Sequence, residues 1–65
     1  MITVNGEERD VPPGTSVEAV VATLTPRRTG VAVALNDSVV PRAAWATTVV
    51  EDDDRVEVLT AVQGG

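Results

Sequence analysis

The chain has 65 residues, a net charge of -5 from ten acidic side chains against five arginines, and 43% hydrophobic residues with one aromatic, Trp45. A chain this short forms one thin core, burying only about 60% of the surface its unfolded form exposes, so its chemistry is expected on the surface or at an end. There is no His, Cys, Tyr or Lys. Disulfides and thiolate metal sites are therefore excluded, as are the usual neutral-pH base, the strongest nucleophile, the Schiff-base amine and the lysine of a phosphate loop. An enzyme acting alone is disfavoured. Without a basic stripe or aromatic platform the chain does not read as a nucleic-acid binder, and its partners are expected to offer basic surface. No window approaches the roughly 20 apolar residues of a membrane span and no signal-peptide pattern opens the chain, so cytoplasmic localisation is expected.

In chain order, ITV, Asn5-Gly6 and EERDV read as a hairpin, because Asn-Gly supplies the positive φ angles of a two-residue type I′ turn and puts Ile2 and Val4 on one face. Pro12 and Pro13, which cannot donate to a sheet ladder, close the second strand. Thr15 and Glu18 have the spacing of a capping box, and Val17, Val20, Val21 and Leu24 follow as one apolar helical stripe that breaks at Thr25-Pro26. TPRRTG is a loop. VAVAL is a strand with Val31, Val33 and Leu35 on one face and alanine on the other; Asn36-Asp37 turns the chain; SVV is a short strand limited by Pro41. RAAW forms about one helical turn that returns Trp45 to the body, and TTVV is briefly extended. The acidic run at 51–54 makes the last turn, read as solvated surface rather than a metal site because adjacent carboxylates in a turn diverge. RVEVLT is the final strand, with Val56 and Val58 facing the core.

A hairpin followed by a crossover helix lets the last strand return beside the first in parallel. The expected fold is α+β and β-grasp, ubiquitin-like in outline: a mixed sheet of four to five strands with one main helix on one face. Residues 1–61 form the domain and 62–65 a flexible Gly-Gly tail. The tail packs nothing, caps no helix and turns no hairpin, so it is either idle or present for its carboxylate. Alternation along the last strand puts Leu59 and Ala61 on the uncovered sheet face, an apolar patch beside the tail suited to docking. Arg42 and Trp45 are further candidates for partner contact, with core packing the competing role for the indole.

The segment VAVALNDSVVPRAAW, with Asn36, Val39-Val40, Pro41-Arg42 and Trp45, followed by an acidic turn and a terminal Gly64-Gly65, resembles the ThiS family of sulfur carriers in thiamine biosynthesis over essentially the whole chain. It departs from the family pattern at Asp53, where glycine is usual, and at Gln63, where small residues are common. The resemblance implies that the Gly65 carboxylate is adenylated with ATP by a separate ThiF-like, E1-like enzyme. A sulfur donor system then converts it to a thiocarboxylate, which delivers sulfur to a ThiG-like thiazole synthase. No cofactor or metal is bound by the carrier, and ATP is used by its partner. Gly64 and Gly65, lacking Cβ, suit a narrow channel, and the four residues from Val62 through Gln63 to the end reach about 13 Å when extended. The competing expectations are a carrier serving molybdopterin synthesis, a ubiquitin-like protein modifier, and an interaction domain with an inert tail.

Overall fold

The computed structural model describes residues 1–26 and 29–60. Five strands, β1 (Ile2–Val4), β2 (Glu7–Arg9), β3 (Val31–Leu35), β4 (Ser38–Val40) and β5 (Arg55–Thr60), form one sheet in the order β2-β1-β5-β3-β4, with one α-helix, α1 (Val17–Leu24), crossing between β2 and β3. The expected mixed topology is present: β5 runs parallel to β1 and antiparallel to β3, while the β1–β2 and β3–β4 pairs are antiparallel hairpins. The hairpin turns lie where the sequence placed them. Asn5 and Gly6 take φ of 53° and 85°, and Asn36 and Asp37 take 51° and 71°, the consecutive positive values of a type I′ turn. Asp53 has φ of 68°, so the carboxylate residue occupies a left-handed position that glycine would fill without strain.

The helix begins one residue later than the capping box implied. Ser16, not Thr15, is the N-cap, and its Oγ accepts from the Ala19 N–H at 3.1 Å. The Thr15 hydroxyl instead donates to the Pro12 carbonyl at 2.7 Å. Glu18 is thus too early in the helix for a reciprocal bond to the cap, although its charge in the first turn suits the positive end of the helix dipole. The neighbouring chain satisfies two further amides of that turn: Val17 N–H donates to Thr48 O at 2.8 Å and Glu18 N–H to Trp45 O at 3.1 Å. The stretch expected to be extended, TTVV, adds no strand to the sheet. It makes an isolated antiparallel bridge between Ser16 and Val49, and buries Val50 completely.

The helix stripe of Val17, Val20 and Val21 packs on Ile2, Val4, Val33, Val40, Val56 and Val58 from the sheet, with Trp45 and Val50 closing the core. Among the described residues only one sheet face is covered. At the far end of β5 from Thr60 the acidic turn is knitted to the rest of the chain: Asp54 accepts from the Glu51 N–H at 2.8 Å, the Asp53 N–H donates to Met1 O at 2.8 Å, and Asp52 pairs with the Met1 ammonium. These carboxylates serve the turn, and no cluster among the described residues has the arrangement of a metal site.

Candidate functional site

The central strand β5 ends at Thr60, where the chain continues toward Gly64 and Gly65. Alternation fixes what it presents: Val56 and Val58 are buried, whereas Leu59 is 69% exposed on the open face. The register places Ala32 opposite Leu59, and Ala34 opposite both Glu57 and Val39. Val39 is 77% exposed, so Leu59, Ala32, Ala34 and Val39 make one apolar patch on the uncovered face, rimmed by Glu57. The two alanines keep the patch low, and the Val39 and Leu59 side chains stand above it. Val39 is not among the partner-contact candidates from sequence, although the alternation of SVV contains the signal: if Val40 turns inward beside Pro41, Val39 must turn outward.

Hydrogen bonds hold β5 on both flanks. On the β3 side, pairing runs from Leu35 opposite Val56 to Val31 opposite Thr60. On the β1 side, strand pairing ends at Val4 opposite Val56, and β1 then turns away at Asn5. The Asn5 side chain continues where the backbone stops. Its Oδ1 accepts from the Val58 N–H at 2.8 Å and its Nδ2 donates to the Val58 carbonyl at 3.2 Å. Asn36 acts similarly at the start of the strand, with Oδ1 accepting from the Arg55 N–H at 2.8 Å and Nδ2 donating to Asp54 Oδ1 at 3.0 Å. The Arg55 guanidinium also bonds Asp37, which raises its pKa further above the ordinary arginine value.

Trp45 and Arg42 lie elsewhere. The indole is only 5% exposed, belongs to the core on the covered side, and donates from Nε1 to the Val40 carbonyl at 2.9 Å. Of its two expected roles, the structure places the indole in core packing, with little surface left to present to a partner. Arg42 is exposed, with its guanidinium 5.8 Å from the centre of the Trp45 ring. Together with Glu18, Val21, Ala22, Thr25 and Pro26 the two residues line a groove of about 310 Å³ on the helix side. They are not brought together with Leu59. Ala61, Val62, Gln63, Gly64 and Gly65, the remaining candidates, lie outside the described residues.

Comparison with known proteins bears directly on this geometry. The ThiS family profile matches residues 2–65, from the first strand through the glycine pair. The chain belongs to the ThiS family. It is 31% identical to the sulfur carrier protein ThiS of Escherichia coli over 64 residues, covering 98% of this chain and 97% of that one. The crystal structure of the thiamine biosynthesis protein ThiS from Geobacter metallireducens superposes with a TM-score of 0.77 at 34% identity, covering 98% of this chain and 97% of that one. Its solution structure gives a TM-score of 0.79 at the same 34% identity, with 98% and 86% covered. A thiazole synthase of Paramagnetospirillum magneticum is 34% identical over 64 residues; the match takes in 98% of this chain and only 20% of the synthase, so the chain spans about a fifth of that relative's length. The ThiS fold, a five-stranded mixed sheet gripping one helix, and the function of ThiS as a sulfur carrier in thiamine biosynthesis thus agree with the expectations from sequence.

Proposed function

We propose that this ThiS-family chain carries sulfur on the carboxylate of Gly65, as a co-substrate rather than an enzyme. The observation that carries the proposal is the family match running through residue 65, with β5 leading from the centre of the sheet into that end. A terminal carboxylate, with a pKa of about 3.3 to 3.7, is ionised at pH 7 and has no good leaving group. Attack of the carboxylate on the α-phosphorus of ATP expels pyrophosphate and leaves an acyl adenylate. A sulfur nucleophile then displaces AMP, and the net change at the carbonyl is one oxygen replaced by sulfur. The chain has no lysine or phosphate loop to manage the nucleotide's charge, so donors and metal come from the activating enzyme.

The patch of Leu59, Val39, Ala32 and Ala34 is the docking surface in this scheme. It lies along the end of β5, the strand that leads to the tail, and an apolar patch with a charged rim is the usual anatomy of such contacts. The acceptor of the sulfur is a thiazole synthase. The synthase relative that contains a ThiS-like stretch supports this partnership, since joining a carrier to its acceptor turns their encounter into an intramolecular one at high effective concentration. The reaction belongs in the cytoplasm, where ATP is supplied, and residues 62–65 act as a tail distinct from the domain.

The test is mass spectrometry after incubation with a ThiF-like enzyme, ATP and a sulfur donor. The intact chain gains the mass of one oxygen-to-sulfur exchange, fragmentation places it on Gly65, and deletion of Gly65 abolishes it, because the carbonyl then sits about 3.4 Å short of the nucleotide. Sulfur delivery to molybdopterin synthase and not to thiazole synthase would overturn the assignment. The absence of any mass change, under conditions that activate another ThiS, would leave the tail inert.

A further inference from the structure

Two separate demands meet at Asn5. The turn needs a residue that tolerates φ of 53°, which asparagine and glycine both satisfy. The side chain meets the second demand. β1 pairs with β5 only as far as Val56, and the Asn5 N–H donates to the Val56 carbonyl at 2.9 Å before the chain turns off. Beyond that point β5 would be held on the β3 side alone. The Asn5 carboxamide supplies a donor and an acceptor in the relative positions of a peptide group, and bonds both the N–H and the C=O of Val58, 53 residues away in sequence. It therefore stands in for the next peptide of β1. Aspartate would offer only an acceptor, and glycine neither partner.

We infer that Asn5 is a positioning residue for the C-terminal arm: its carboxamide extends the β1 flank of the sheet by one residue pair, so that β5 is fixed on both sides as far as Val58. Leu59 of the docking patch is the next residue, and Thr60 ends the strand that leads to the arm. The end of β5 that carries the patch is then set before a partner is met. Without the clamp, binding must order the end of β5 as well as the arm. That added cost falls equally on ground state and transition state, so it raises KM for the carrier and leaves kcat nearly unchanged. The inference rests on the carrier function proposed above.

The decisive comparison is between wild type, Asn5→Gly and Asn5→Asp. Glycine keeps the turn and removes the clamp, whereas aspartate keeps the turn and the acceptor but loses the donor. In the free proteins, amide exchange followed by NMR is expected to speed up at Val58 and Leu59 in Asn5→Gly while Val20 and Val21 in the helix keep their protection. In ATP–pyrophosphate exchange with a ThiF-like enzyme, KM for Asn5→Gly rises about tenfold, the equivalent of ordering roughly one more residue, with kcat within about twofold; Asn5→Asp falls between it and wild type. An unchanged KM in Asn5→Gly overturns the inference while leaving the carrier function intact. Exchange that rises uniformly through the molecule also overturns it, since the role of Asn5 would then be general stability. Failure of the wild type itself to support pyrophosphate exchange overturns the carrier function and this inference together.

Discussion

Replacing Trp45 by phenylalanine separates a core residue from a docking residue. The indole is 5% exposed and its Nε1 donates to the Val40 carbonyl at 2.9 Å, tying the 3₁₀ turn at Arg42–Ala44 to the end of β4. Phenylalanine loses that hydrogen bond, worth about 1 kcal/mol net, and leaves unfilled the space of the indole's second ring, worth roughly another 1 kcal/mol if the site does not collapse. A loss of about 2 kcal/mol is large here, because 65 residues at roughly 0.05–0.15 kcal/mol each give a total stability of about 3–10 kcal/mol. For a domain of this size the melting temperature should fall by roughly 8–16 °C. The assay is urea and thermal denaturation followed by far-ultraviolet circular dichroism, since the substitution removes the only fluorescent side chain. Titration of the folded variant into a ThiF-like enzyme should give wild-type affinity to within about threefold, as a buried ring makes no contact with the partner. A variant of wild-type stability with much weaker binding would refute the burial of Trp45 and return it to the docking surface.

Ser16→Ala should destabilise the domain by about 1 kcal/mol and Thr15→Ala by clearly less, because Ser16 carries the cap; chemical denaturation of the pair checks this, and the reverse order would reinstate Thr15. Leu59→Glu and Val39→Glu should leave melting temperatures within a few degrees of wild type while weakening association with the activating enzyme about tenfold or more, measured by calorimetry; unchanged affinity in either variant removes that residue from the patch. The Met1 ammonium has its pKa raised above the ordinary value of 8.0, first by its hydrogen bond to Asp52 and then by the charges of Asp52, Asp53 and Asp10. A raised folded-state pKa contributes stability that is complete below pH 8 and is lost as pH climbs through the folded value. With no His, Cys, Tyr or Lys, the α-amino group is alone in titrating across that alkaline range, so melting temperature should hold level from pH 6 to 8 and decline slightly above it. Asp52→Asn should flatten the decline, as should added salt, since the pair is exposed.

Much of the fold is legible in local signals. Asn5-Gly6 names its hairpin because few residue pairs accept two positive φ angles, and the valine stripe of α1 has a period that only a helix can bury. The cap was misplaced because Thr15 and Ser16 are adjacent hydroxyls at almost equivalent spacings; the choice fell to Pro12, whose carbonyl takes the Thr15 hydroxyl. Trp45 caps the 3₁₀ turn of Arg42–Ala44, which is too short for any period to show which way the next side chain faces. The outward face of β5 was readable at Leu59 from alternation, but its full patch was not, because Ala32, Ala34 and Val39 join it through cross-strand register. The second use of Asn5 was hidden for a stronger reason. It depends on Val58, which no local pattern connects to a turn near the start of the chain.

The middle strand of the sheet is the last of the described strands in the sequence. Hairpins β1–β2 and β3–β4 can each close locally, yet they share no pairing with one another until β5 slots between them. Such long-range closure is slow compared with hairpin formation, so completion of the sheet is a late event in folding. During synthesis it must also wait, because β5 is delivered after all four of the strands it joins. An unfinished or clipped copy ending before β5 therefore lacks more than its glycines: it has neither a closed core nor an assembled outer face. The position of one strand thus ties closure of the core and assembly of the outer face to the same step.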